Sequence, residues 1–213
     1  MSGFTGFPLA GLDFYEDLEA DNSKTFWTAH KEVYEQSVKA PMVALTTQLE
    51  EEFGTAKIFR PHRDVRFSKD KAPYKTAQGA VVSTAPGTGW YVQISAAGLF
   101  VGGGFYSGTP AQVAQLRTTI DDEVRGAELA AIIARLAASG FTIGGEKLKT
   151  KPKGYEADHP RIDLLRHKSI TCHREYGAPA WLPTERAAAE VRATWQSMRP
   201  FIDWLTAVVS PTA

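Results

Sequence analysis

The hydrophobic period changes twice along this chain, and that change limits the folds open to it. Up to about residue 54 apolar residues recur at helical spacing; from Lys57 to Tyr106 they alternate; after Thr109 the helical spacing returns. Strands that arrive as one block pair through hairpins, whereas alternating strands and helices would build a parallel sheet. The predicted class is therefore α+β, a central, mostly antiparallel sheet of hairpin-connected strands packed against N- and C-terminal helices.

The first helical region covers 10–54. Asp13 is placed to cap a short segment through Leu18, and a second helix runs from Ser23 to about Lys39 with Phe26, Trp27, His30, Val33, Tyr34 and Val38 on one face. Pro41 is expected to bend or restart it, before Leu45, Leu49 and Phe53 carry the stripe to Gly54. In the strand region, 57–106, Trp90, Val92 and Ile94 alternate with Tyr91, Gln93 and Ser95, and "ISAAGLFV" reads as a tight hairpin. Helices follow over 110–140. Thr109, Pro110 and Gln112 form a capping box, Val113, Leu116, Ile120 and Val124 the buried stripe, and Gly140 a left-handed stop. A mixed region, 141–180, holds a short helix near 162–165 and the strand "SITCHREY". A helix over 184–208, bent or restarted at Pro200, closes a single domain spanning 1–213.

With 43% hydrophobic residues, such a domain can bury its own core. One cysteine, Cys172, excludes an intrachain disulfide, and it reads as a small buried residue. The acidic N-terminal region lacks a secretory pattern, and "AELAAIIARLAA" is too short and too interrupted to span a bilayer. A cytoplasmic protein without a membrane partner is the expectation.

The formal net charge is zero, which disfavours a surface built wholly for nucleic acid. The distribution is uneven. Lys57 to Lys75 contains seven Lys or Arg against Asp64 and Asp70; Lys147 to Lys153 contains four Lys and no acid; the rest carries 13 basic and 22 acidic residues. Within the first segment, "FRPHRDVRFSKDKAPYKT" reads in strand geometry as two faces. Phe59, Val65 and Phe67 fall on a core side with Pro61 and Arg63; Arg60, His62, Asp64, Arg66 and Ser68 form a polar row. "SKDKAPYKT" then reads as a turn delivering Lys69, Lys71 and Lys75 beside that row.

Planar guanidinium forks and mobile ammonium groups converging on one place suit a phosphate or carboxylate. The reading adopted is binding of a phosphate-bearing small molecule or other anion through Arg60, Arg63, Arg66, Lys69, Lys71, Tyr74 and Lys75, with Lys149 from the second basic segment. A nucleic-acid backbone is a lesser candidate partner. Two alternatives stand beside it. In one the site is enzymatic, acting on a phosphate ester or acidic metabolite with His62 and Asp64 as acid and base. In the other the charges form a fold-locking ion-pair network. Arg63 separates the readings: buried and paired with a carboxylate it is architecture, and turned to a cleft with Lys71 and Lys75 it holds an anion.

The stretches "FTGFPLAGLDFYEDLEADN", "RDVRFSKDKAPYKT", "GGGFY", "LKTKPKGYEADHP" and "LLRHKS" together resemble an uncharacterised bacterial and fungal family, domain of unknown function 2461. The resemblance covers about Phe4 to Leu205, and Arg63, Asp64, Arg66 to Ser68, Asp70, Lys71 and Pro73 to Lys75 fit its pattern. Departures fall at Asp21, Phe26, Trp27 and His30. The resemblance implies one compact domain and leaves the chemistry to the residues.

Other features carry less. His62, His159, His167 and His173 lack metal-ligand spacing, so neither metal nor cofactor is expected. Cys172 and His173, adjacent in a strand, point to opposite faces and make no dyad. His30, on the apolar face with Trp27 and Tyr34, reads as a hydrogen-bonded core histidine, His159 as a turn residue, and Gly102 to Gly104 as a strand bulge. In an extended "KLKTKPK", Lys147, Lys149, Lys151 and Lys153 share one side.

Overall fold

The structure, a computed structural model, describes residues 3–66 and 69–210. Helices α1 (Ala10–Ala20), α2 (Lys24–Tyr34) and α3 (Ala40–Phe53) precede strands β1 (Lys57–Ile58), β2 (Ala77–Ala85), β3 (Thr88–Ser95) and β4 (Gly98–Phe105). Helices α4 (Pro110–Asp121) and α5 (Glu123–Ala138), strand β5 (Thr142–Gly144), helix α6 (Ile162–Leu165), strand β6 (Ile170–Gly177) and helix α7 (Arg186–Val209) follow. The strands form one antiparallel sheet in the order β1-β2-β3-β4-β6-β5, with helices toward both ends of the chain, so the fold is α+β. Two-residue connections join β2 to β3 and β3 to β4, the second at Ala96 and Ala97 as "ISAAGLFV" predicts.

By internal packing the chain divides into two compact units: Met1–Val82 with Tyr91–Val101 and Glu175–Ala193, and Ser83–Trp90 with Gly102–Arg174 and Thr194–Ala213. In the first, α1, α2 and α3 bury Phe14, Leu18, Trp27, Tyr34, Met42 and Leu45. Phe14 stands edge-on to Tyr15 and Trp27, with ring centres 5.3 and 5.7 Å away. Helix α1 starts at Ala10, earlier than an Asp13 cap allows; Asp13 N–H donates to Leu9 O at 3.1 Å, inside the first turn. Ser23 does cap α2, accepting from Phe26 N–H at 3.1 Å.

Pro41 neither stops nor restarts the helix. A π-helical turn, Glu35–Lys39, joins α2 directly to α3. Proline lacks the N–H that an α-helix would direct at the Ser37 carbonyl, and a widened turn redistributes those bonds. Gly11 of α1 packs against this place: a Cβ there would lie 2.6 Å from Ser37 O.

In the second unit Trp90 and Trp195 pack with ring centres 5.9 Å apart, beside buried Phe105, Leu116, Ile120, Met198 and Phe201. The capping box at Thr109 forms in both directions. Val124, however, is 76% exposed and outside the predicted stripe. Asp122 accepts from the N–H groups of Val124 and Arg125 and starts a new helix, which turns Val124 away from the α4 face. Helix α7 runs unbroken through Pro200. Gly104, at φ +139°, lies where a Cβ would be 2.4 Å from Ile170 O, and Gly103 where one would be 2.6 Å from Gly89 O, so these two glycines serve close backbone approach to β6 and β3. Among the described residues no helix is long and apolar enough to cross a membrane.

Candidate functional site

The basic stretch is not the two-faced strand that its alternation predicts. After Ile58 the chain leaves the sheet and returns at Ala77, and among the described residues the two arms of this excursion pair as strands at one isolated antiparallel bridge, His62 to Tyr74. Arg63 N–H donates to Pro73 O and Lys75 N–H to Pro61 O, both at 2.8 Å. Pro61 and Pro73 have no N–H to extend the ladder. Val65 is half-buried rather than core, and Phe67 and Ser68 lie outside the described residues.

At the tip, side chains replace the ladder. Asp64 accepts from Arg66 Nε at 2.9 Å, Arg66 Nη2 at 2.6 Å and Arg66 N–H at 3.3 Å. Asp70 accepts from Ala72 N–H at 2.9 Å and pairs with Arg63 through Nη1. Both aspartates favour a turn over a strand by capturing an N–H two residues on. The Arg66 fork holds the Asp64 carboxyl below the usual carboxylate range, and the Ala72 N–H, then Arg63, does the same for Asp70. Lys71 Nζ donates to Val65 O at 3.0 Å. The Arg63–Asp70 pair is exposed, so Arg63 is neither buried nor directed at a cleft with Lys71 and Lys75.

The base of the excursion is built differently. Phe59 N–H donates to Gly79 O at 3.0 Å, and Phe59 O accepts from Gln78 Nε2 at 2.8 Å. The Gln78 side chain, 1% exposed, also accepts from Tyr34 Oη at 2.6 Å, joining α2 to the loop through one amide. Burial, then the neighbouring Glu35 charge, pushes the Tyr34 phenol up to about 12, so it is a donor at any ordinary pH. Asn22 supplies the other clamp. Its Oδ1 accepts from Tyr74 N–H at 3.0 Å and its Nδ2 donates to Tyr74 O at 3.1 Å, as a neighbouring strand would. The Tyr74 ring lies flat on Trp27, centres 4.2 Å apart and planes within 6°. His62 closes the group, 5.1 Å from Tyr74 and 6.1 Å from Trp27.

Trp27, Tyr34, Phe59, His62 and Tyr74 line a cleft of about 700 Å³. Arg60, His62 and Tyr74 line it from the excursion; Lys24, Lys31 and Lys39 line it from the helices. Glu35 is the acid among its lining residues, and it is paired with Lys39 at 2.8 Å. Among the described residues, Lys24, Lys31 and Arg60 have no carboxylate within ion-pair distance. Lys75 sits over the Phe59 ring at 5.1 Å, and burial followed by the Arg60 charge lowers its pKa.

The nine residues singled out in the first basic segment therefore divide. Arg60, His62 and Tyr74 come together at the cleft, with Lys75 over the Phe59 ring, while Arg63, Asp64, Arg66 and Lys71 are engaged in the tip, where Lys69 is exposed. No hydrogen bond links His62 to Asp64 among the described residues. Lys149 belongs to the second unit, where Arg166 donates to the carbonyls of Leu148 and Lys149 at 2.9 and 3.0 Å. Lys151 turns back onto Tyr155 O and Glu156, so "KLKTKPK" is not an extended row. Lys24, Lys31 and Lys39 were legible only as the polar side of a helix whose apolar side drew the reading. Their spacing of seven and eight puts them on one stripe.

Elsewhere His30, His159 and the cysteine are accounted for locally. His30 is half-buried rather than part of the core, and its Nδ1–H donates to Phe26 O at 2.9 Å. His159 accepts from Arg161 N–H at 3.0 Å and contacts Asp121 at 3.1 Å. Cys172 is fully buried, which pushes its thiol up to about 12.

No curated protein and no solved structure matches this chain. The model of the family described as "Conserved hypothetical protein (DUF2461)" matches residues 10–204. With that match covering the helices, the basic excursion and the sheet, the chain belongs to the DUF2461 family.

Proposed function

We propose that the cleft beside α2 binds a phosphate-bearing or other anionic small molecule, held by Arg60, Lys24 and Lys31. One observation carries the reading: a cleft with four cationic lining residues has one carboxylate, already taken by Lys39. Like charges gathered without counterions raise one another's energy, and an anion relieves that cost. The base is also stiff, because Gln78 and Asn22 fix both arms of the excursion, so a ligand meets charges already in place. Enzymatic use of the cleft would rest on His62 without Asp64, whose carboxylate is occupied by Arg66.

The tip supports a second reading for its own residues. Arg63, Asp64, Arg66 and Asp70 pair among themselves and act as a lock on the turn.

A thermal-shift series with inorganic phosphate, pyrophosphate, nucleotides and dicarboxylates at low ionic strength tests the proposal. At least one anion is expected to raise the Tm of the wild type and to lose most of that effect with Arg60→Ala. No shift with any anion leaves the ion-pair lock as the account of the whole motif.

A further inference from the structure

The cleft does not end at Lys39. A second hollow, of about 620 Å³, shares Glu35, Lys39 and Val43 with it and continues along α3 past Ala40 and Ala44 to Phe4. The two halves differ in chemistry. The first holds the cations without partners. In the second the titratable lining residues are Glu35 and Lys39, which neutralise each other, and the rest of the wall is apolar or uncharged. Val43 is 41% exposed, a branched apolar side chain left in contact with water where the halves meet.

One row of side chains runs through both. Lys24, Thr28, Lys31, Glu35, Lys39 and Val43 follow at steps of four, three, four, four and four residues. In an α-helix each four-residue step overshoots a full turn by about 40°, so repeated steps carry a row around the rod. The wider turn at Glu35–Lys39 takes back part of that drift, which keeps Lys39 and Val43 in line with Lys31. The π-turn thereby joins a cationic end to an apolar end in one groove. From Lys31 to Thr47, along the helical axis, is about 24 Å.

A flat nucleobase suits this groove poorly. Trp27 and Tyr74 are 7% and 5% exposed and stack on each other, so the largest rings of the floor have no open face to offer. Resting on the anion reading above, we propose that the ligand is a single-chain anionic amphiphile. Its acidic head lies on Arg60, Lys24 and Lys31, and its alkyl chain lies along α3 over Val43 and Ala44. Burying methylenes against that wall adds affinity which a bare anion lacks.

Calorimetric titration with inorganic phosphate, with octyl phosphate below its micelle concentration and with anionic phospholipid vesicles tests this, using wild type, Arg60→Ala and the uncharged Val43→Asn. Octyl phosphate is expected to bind the wild type at least about tenfold tighter than phosphate, an advantage equal to burying about two methylenes. Val43→Asn, which adds no charge, should abolish that advantage and retain phosphate binding; Arg60→Ala should weaken both ligands. Because Val43 is exposed, Val43→Asn folds; if melting shows otherwise, Ala44→Gln makes the same test. Phosphate binding with no gain from the alkyl chain overturns the amphiphile and leaves the anion site standing. Binding of neither ligand overturns both. Octyl phosphate binding that Arg60→Ala does not weaken, or binding only to anionic phospholipid vesicles, overturns the proposal in favour of nonspecific apolar adsorption or a membrane surface.

Discussion

Asn22 does the work of a strand with one side chain. Both polar groups of the buried Tyr74 backbone end on its carboxamide, which fixes the ring that stacks on Trp27. Asn22→Ala leaves an N–H and a carbonyl short of partners, and a loss of about 2 kcal/mol in denaturant unfolding is expected. Arg63→Ala should leave the unfolding midpoint nearly unchanged, because the pair it breaks is solvent-exposed. A collapse of stability in that variant would restore Arg63 as a structural anchor. His167 behaves differently. It is 1% exposed, its Nδ1–H donates to Ser169 O at 2.7 Å, and burial lowers its pKa to about 4. Below about pH 6.5 the unfolded chain takes up the proton and the folded chain does not, so stability falls as pH drops from there toward about 4. The loss approaches about 3 kcal/mol, and His167→Gln should remove that part of the acid limb in a pH series of melts.

The π-turn between α2 and α3 sets which residues reach the cleft. Its cause is written in the chain as Pro41, but its form depends on what α1 presents. Gly11 leaves room for the Ser37 carbonyl, and Gly11→Ala places a methyl 2.6 Å from that oxygen. A destabilisation of about 2 kcal/mol is expected by thermal unfolding. Much of the element plan was readable because it rests on local chemistry: the Ser23 cap, the Thr109 capping box, the Ala96-Ala97 hairpin and the strand through Cys172. The basic excursion was not, because alternation alone cannot tell a strand from two short arms whose ladder is broken by prolines and aspartates. Val124 failed for a related reason. Its apolar spacing continued from α4, while Asp122 ended the face it was counted on.

Across the whole molecule the zero net charge conceals an uneven surface, and sequence alone could identify the basic segments without saying which cations were free. Local pairing consumes Arg63 and Arg66 at the tip, and the cations that join Arg60 at the cleft, Lys24 and Lys31, come from helix α2, 36 and 29 residues earlier in the chain. Such convergence depends on the tertiary path, so Lys24 and Lys31 entered the candidate site only with the structure. The central claim is that the base of the excursion, rather than its tip, is the anion site. Calorimetric titration of pyrophosphate into wild type, Arg60→Ala and Arg66→Ala at low ionic strength tests it most directly. The account predicts at least about tenfold weaker binding for Arg60→Ala, the loss of one charge-assisted contact, and wild-type affinity for Arg66→Ala. Loss of binding in Arg66→Ala with Arg60→Ala unaffected would contradict it.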